Sequence, residues 1–230
     1  MKPRKIFLLV LFALCFAPAS FAQDYSPSTT WPYLFKDFTP ATIYLRNSNP
    51  RPAAVNILLT GNKLHFVDGE FVKEMNLLDV DSLKIGQDLY VNASGEMLQV
   101  KAVAGKARVV IRTSADMSSL NETGGAYGSS SATLGTMALS SLEGIGATNS
   151  SASINHVELR ANREEGESLT LKKDYYIFIN GILIEARKSV LQNYPGVGAK
   201  EFKDFCKSEK IKFNKEESLT KVAGFLSERL

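Results

Sequence analysis

The chain has 230 residues, 44% of them hydrophobic, and carries 27 Lys and Arg against 24 Asp and Glu, a formal net charge of +3. This length is enough to bury a core as one large domain or two small ones. Three of the basic residues and none of the acidic ones lie in the first 22 positions, so the rest of the chain is electrically balanced. A balanced chain has no overall attraction to nucleic acid or to an anionic membrane, and we expect neither as a partner.

Residues 1–22 have the three-part pattern of a cleavable secretory signal peptide. A basic start precedes an apolar run, Ile6 to Phe16, and Ser20 and Ala22 place small residues just before Gln23. An uncleaved membrane anchor is the alternative, but the apolar run is shorter than the roughly 20 residues that a spanning helix needs. We therefore expect an exported protein that begins at Gln23 and has no membrane span. The periplasm is the expected compartment, with an extracellular or outer-membrane-associated location as the alternatives.

Residues 23–40 form an aromatic segment that contains Trp31, Tyr33 and Phe35. If exposed, these rings would stack on a sugar or hold a partner protein; if buried, they would cover an open end of the neighbouring β domain. Burial is the favoured interpretation. These three residues, together with Tyr127, are the candidate binding residues.

Residues 41–115 read as a β-rich domain of about eight short strands. Runs of β-branched and aromatic residues alternate with turn sequences, of which Asp68-Gly69 is a strong hairpin signal. Strands at this spacing predict a small barrel or a sandwich.

Residues 121–153 are rich in Gly, Ser, Thr and Ala, which predicts a loop or linker. A flap that becomes ordered on binding is the alternative, because long loops are often functional. Residues 154–187 are expected to form further strands, at 157–160 and at 169–171, and then a hairpin around Asn180-Gly181.

Residues 188–230 read as a helical tail of two or three helices, with candidates at 200–210 and 215–229. The second candidate carries an apolar stripe at helical spacing, formed by Leu219, Val222, Ala223 and Leu226. We expect this stripe to pack on the β domain, with docking to another protein as the alternative. The predicted fold class is thus α+β, mainly antiparallel β with C-terminal helices.

Residues that carry catalytic chemistry are scarce. His65 and His156 have no second ligand at metal-binding spacing and no Gly-x-Ser-x-Gly motif, so both are expected to be structural or surface residues. After cleavage Cys206 is the one remaining cysteine; its apolar surroundings predict a buried, unreactive thiol and no internal disulfide. We therefore predict no catalytic residue, no metal site and no cofactor.

Several runs together resemble a group of uncharacterised exported proteins of Bacteroidetes-type bacteria, which have a β-rich body and a Lys-rich helical tail. The runs that carry the resemblance span most of the mature chain and include 38–46, 54–57, 64–68, 80–86, 175–178, 188–195 and 202–213. The resemblance implies export and an α+β architecture, but no activity and no functional residue. In such bacteria Asp81-Ser82-Leu83 would also match a short O-glycosylation acceptor, with an ordinary strand start as the alternative.

These observations favour a non-catalytic periplasmic module that binds a protein or an envelope component such as a glycan. A hydrolase or transferase acting on envelope polymers, with the Gly/Ser-rich segment as its flap, is the second hypothesis. A carrier of an apolar ligand is the third. A pocket that holds His65 or His156 beside a carboxylate would favour the enzyme.

Overall fold

The computed structural model describes residues 25–116, 141–145, 154–163 and 166–230. The expected signal peptide, Tyr127 and most of the Gly/Ser-rich segment lie outside the described residues, so what we expect of them stays a prediction. The described residues form an antiparallel sheet with helices gathered toward the C-terminus, which confirms the predicted β-rich α+β class.

The strands are short and separated by tight turns. Their bounds are β1 Thr39–Leu45, β2 Arg51–Leu58, β3 Lys63–Asp68, β4 Phe71–Glu74, β5 Val80–Ile85, β6 Asp88–Ala93, β7 Glu96–Ala104, β8 Ala107–Asp116, β9 Ile154–Asn155, β10 Thr170–Ile179 and β11 Ile182–Glu185. A 3-10 helix, Leu77–Asp79, joins β4 to β5. In the β10–β11 turn Asn180 and Gly181 both have positive φ, 50° and 78°, as a two-residue type I′ hairpin requires.

All described strands belong to one sheet, in the order β11-β10-β8-β7-β6-β5-β1-β2-β3-β4-β9, and each pair of neighbours is antiparallel. The sheet is open, with β11 and β9 at its edges, so the barrel that we considered is wrong. Turn spacing predicted the number of strands but could not show whether the first and last ones pair. The predicted hairpin extends the same sheet, because β10 pairs with β8 from Thr170 to Phe178.

The sheet coils on itself, as wide twisted sheets do. The Met97 backbone N–H donates to the Asn62 carbonyl at 2.9 Å, which brings the start of β7 to the β2–β3 turn. Inside the coil, side chains from six strands form a buried core that includes Ile43, Val55, Ile57, Leu64, Leu83, Tyr90 and Met97.

The helices bounded within the described residues are α1 His156–Ala161, α2 Lys188–Leu191, α3 Ala199–Ser208 and α4 Glu216–Ser227. The strand that we expected at 157–160 is wrong, since these residues lie in α1. The Asn155 side chain accepts the backbone N–H groups of Val157 and Glu158 at 2.9 and 3.2 Å and so caps the helix. Asn followed three residues later by Glu is a helix-start signal, and here it outweighs the alternation of apolar and polar residues at 157–160.

The apolar stripe of α4 packs on β7 and β8, which confirms the predicted packing. Its members Leu219, Val222, Ala223 and Leu226 are all 0% exposed. Burial of one leucine side chain contributes about 1.5 to 3 kcal/mol, so this contact holds the helices onto the sheet.

The chain before β1 is also tied to the sheet. The buried Asn56 side chain accepts the Phe35 N–H at 3.0 Å and donates to the carbonyls of Phe35 and Asp37. Closer to the N-terminus, the Thr29 N–H donates to the Glu167 carbonyl at 2.8 Å, and the Pro27 carbonyl accepts the Leu169 N–H at 2.7 Å. Residues 25–38 thus bridge the β2–β3 region and the start of β10.

Candidate functional site

The most connected polar cluster is a row of three side chains, Tyr33, His65 and Glu74. His65 and Glu74 are cross-strand neighbours on β3 and β4, and Tyr33 approaches from residues 25–38. The Tyr33 hydroxyl lies 2.9 Å from His65 Nδ1, while His65 Nε2 lies 3.7 Å from Glu74 Oε2. Lys63 Nζ donates to the same Glu74 oxygen at 3.1 Å.

The electrostatics of this row assign its protons. Burial raises the pKa of the Tyr33 phenol well above its ordinary value, so the hydroxyl keeps its proton and donates to Nδ1. When the hydroxyl donates to Nδ1, the ring proton of His65 lies on Nε2, which faces Glu74 at a distance too long for a hydrogen bond. His65, and then Lys63, lower the pKa of the Glu74 carboxyl, which is therefore an anion at neutral pH.

An imidazole between a phenol and a carboxylate has the connectivity of a proton relay. However, Tyr33 and His65 are both 0% exposed, so no substrate atom can reach them in this conformation. A carboxylate, Glu74, does lie beside His65, but the histidine is fully buried. As placed, the row stabilises the junction between residues 25–38 and the β3–β4 hairpin.

The aromatic candidates lie mostly inside the molecule. Trp31 is 1% exposed and Tyr33 0%, and both pack in a cluster with Phe38, Leu58 and Leu142. Phe35 is half-buried and lies edge-on to Tyr90, 6.2 Å between ring centroids. The structure therefore places Trp31 and Tyr33 in a core, as the favoured interpretation of this segment expected.

His156 lies on the other side of Phe38 from Tyr33, with its ring edge-on to Phe38 at 5.1 Å. Partial burial, and then the nearby Arg160, lower the pKa of the His156 imidazole, while Asp37 opposes the shift. The two histidines thus contact a shared aromatic cluster without forming one site.

Cys206 is buried in the core between the helices and the sheet. Burial raises the pKa of its thiol, against an opposing effect of Lys188, so the nucleophilic thiolate is disfavoured. Ser82 lies within β5, half-buried and paired with Tyr44 on β1 and Val91 on β6. Among the described residues, no group of three or more His, Cys, Asp or Glu is arranged to hold a metal ion.

An open groove of about 470 Å³ lies where the β10–β11 hairpin meets the helices. β10 contributes Lys173 and Tyr175, the connection after β11 contributes Arg187 and Lys188, and the loop between α3 and α4 contributes Phe213 and Asn214. We call this the basic groove.

The basic groove has more available positive than negative charge. Its two carboxylates are already paired: Glu185 with Arg187 at 3.1 Å, and Asp174 with the neighbouring Lys172 at 3.1 Å. Lys173 and Lys188 are exposed, and neither side chain forms an ion pair with another residue that the structure describes. Two ammonium groups are therefore free to meet an anion.

The groove wall is held in place by the fold. The Tyr175 hydroxyl donates to Glu216 Oε1 of α4 at 3.2 Å, and the Tyr175 carbonyl accepts the Ala186 N–H at 3.0 Å. Tyr175 and Phe213 also pack against the helix–sheet core. The groove therefore has its shape before a ligand binds.

Sequence reasoning did not find this groove. The Lys-rich tail and the run Lys172-Lys173-Asp174-Tyr175 were the available signals, but both are ordinary features of exposed strands and helices. Nothing in the spacing shows that Phe213 lies beside Tyr175, because that contact depends on how α3 and α4 fold back over the sheet.

A second open groove lies between α3 and α4, over the stacked rings of Phe205 and Phe225, whose centroids are 4.4 Å apart. Its charges are largely paired: Arg229 with Glu201 and Glu228, and Lys221 with Glu209. It therefore has less free charge than the basic groove.

None of the helices in the described part of the chain is both long and apolar enough to cross a bilayer. Comparison with known proteins found no matching family model, no similar curated protein and no similar solved structure.

Proposed function

We propose that the protein is an exported, non-catalytic binding module that holds an acidic component of the cell envelope in its basic groove. The observation that carries this proposal is the pair of free ammonium groups, Lys173 and Lys188, beside the aromatic rings of Tyr175 and Phe213. Cations next to aromatic surface suit a ligand that has both acidic groups and apolar faces.

The distribution of charge along the chain supports this proposal. Residues 186–230 carry ten Lys and Arg against six Asp and Glu, whereas residues 23–185 carry fourteen against eighteen. The balanced charge of the mature chain thus conceals a positive C-terminal part. Such asymmetry steers anions toward one side of a protein.

Export to the periplasm is part of the proposal and rests on the pattern of residues 1–22. Sequencing of the N-terminus of the protein from its native cells tests it. A chain that begins at Gln23 in the periplasmic fraction supports export, and a chain that still begins at Met1 rules out cleavage.

The binding function is tested with the double variant Lys173→Gln/Lys188→Gln. We expect the unmodified protein to co-sediment with the native envelope fraction, and the variant to lose at least nine-tenths of that binding at physiological salt. The matched control is Lys84→Gln/Lys106→Gln, which removes the same charge on β5 and the β7–β8 turn. Equal binding by both double variants would overturn the proposal.

A further inference from the structure

We infer that the ligand of the basic groove is a linear polysaccharide that carries carboxylate groups along its length. This inference rests on the proposed function and specifies the chemical class of its ligand. Three properties of the groove support it: the kind of cation, the state of the backbone groups, and the continuation of positive charge beyond the groove.

The free cations are lysines. Arg187, the guanidinium in the groove, contacts Glu185 through Nε at 3.1 Å, so part of its positive charge is already offset. Lys173 and Lys188 present separate ammonium groups with rotatable donors, which suits carboxylates that are spaced along a chain.

Two of the backbone donors at the groove are already used. The Ala186 N–H donates to the Tyr175 carbonyl at 3.0 Å, and the Arg187 N–H donates to the Glu185 carbonyl at 2.8 Å. The groove also offers side-chain partners: ammonium groups, the Asn214 amide and two aromatic rings, which suit sugar hydroxyls and sugar C–H faces.

The positive charge continues onto α3. Lys188 begins α2, and Leu191 of that helix packs in the same buried core as Cys206 of α3. Lys200, Lys203 and Lys207 fall on one stripe of α3, and all three are exposed. A track of this kind fits a polymer with repeated charges better than a single small anion.

The groove is concave and lies between the hairpin and the α3–α4 loop, so a flat bilayer would not reach its floor. Polysaccharide is therefore favoured over an anionic lipid surface, although both offer acidic groups.

The test is calorimetric titration of the purified protein with four defined probes. They are polygalacturonate, neutral dextran of matched length, poly-glutamate and vesicles that contain phosphatidylglycerol. We expect binding to polygalacturonate that weakens as salt is raised, and at least tenfold weaker binding to the other three.

Variants then locate the site. Lys173→Gln/Lys188→Gln is expected to weaken polygalacturonate binding at least tenfold, and Lys203→Gln/Lys207→Gln about threefold. Phe213→Leu, which keeps an apolar side chain against the core, tests the stacking ring and is expected to weaken binding without changing its salt dependence. Lys84→Gln/Lys106→Gln is the control and should bind normally.

The outcomes separate this inference from the proposed function. If dextran, poly-glutamate or vesicles bind as well as polygalacturonate, the inferred ligand class is wrong. The inferred ligand class is also wrong if none of the four probes binds. If Lys173→Gln/Lys188→Gln nevertheless loses binding to the envelope fraction, the proposed function stands. If Lys173→Gln/Lys188→Gln changes neither measurement, both proposals fall.

Discussion

The Ser227 hydroxyl, in the last turn of α4, accepts the backbone N–H of Lys106 at 2.7 Å and so ties the helix to the β7–β8 turn. The same hydroxyl lies against the place that a Cβ would take on Gly105, whose φ is +60°. The absence of a side chain at Gly105 therefore permits both the left-handed turn and the close approach of α4.

Replacement of Gly105 by Ala should destabilise the protein more than replacement of Gly86. Both glycines have positive φ, which costs an alanine about 1 to 2 kcal/mol, but no atom lies within 4 Å of the place a Cβ would take on Gly86. Gly105→Ala should also displace the Ser227 hydroxyl, at a further cost of about 1 kcal/mol. Urea unfolding of the two variants measures the difference, and equal costs would show that the contact contributes nothing.

Leu226→Ala should lower the free energy of unfolding by about 2 to 5 kcal/mol, because it leaves a cavity between α4 and the sheet. Leu226 is 0% exposed, whereas Leu78, within the 3-10 helix, is 79% exposed. Leu78→Ala makes the same chemical change at the surface and should cost less than about 0.5 kcal/mol. A small effect of Leu226→Ala in the same unfolding experiment would contradict the packing described for this helix.

Tyr33→Phe should cost about 1 to 3 kcal/mol, because it leaves His65 Nδ1 buried without a donor. In the double variant Tyr33→Phe/His65→Leu the unpaired nitrogen is also removed, so the combined cost should be smaller than the sum of the two single ones. Thermal unfolding of the four proteins gives the coupling energy. Strictly additive costs would mean that the hydroxyl and the imidazole do not interact.

The stability of the protein should fall in acid partly through Glu74. Its folded-state pKa is lowered from 4.5 by His65 and by Lys63, so its contribution is present above about 4.5 and is lost as the pH falls through the folded pKa. Unfolding measured between pH 7 and pH 3 should show a shallower loss for Glu74→Gln than for the unmodified protein. Glu217→Gln, on an exposed position of α4, serves as the control, and identical acid profiles for all three proteins would contradict this role.

The sequence predicted the individual turns and helices better than it predicted whether the sheet closes into a barrel. Hairpins marked by Asp68-Gly69 and Asn180-Gly181 are present, and the apolar stripe of α4 is buried, because local turn chemistry and helical spacing decide these features. The open sheet could not be predicted, because the edges depend on which distant strands pair. At 157–160 Asn155 and Glu158 are a local helix-start signal, but the alternation of apolar and polar residues there led to the prediction of a strand.

The polar clusters lay beyond sequence reasoning for the same reason. His65 and Glu74 face each other across the hairpin marked by Asp68-Gly69, but Tyr33 lies 32 residues before His65, and the packing of residues 25–38 over β3 brings it to them. Phe213 and Tyr175 likewise meet through the placement of α3 and α4. Composition did predict that Cys206 would be buried, because its neighbours in the helix are apolar.

The attachment of residues 25–38 also has a consequence for the order of folding. Thr29 pairs with Glu167, and Pro27 with Leu169, across about 140 residues of intervening chain. Contacts of such high sequence separation form late, because the entropy of closing a long loop must be met before they contribute. Residues 27–29, in the first described part of the chain to be synthesised, thus reach their native place late, after the nearby attachment of Phe35 to Asn56.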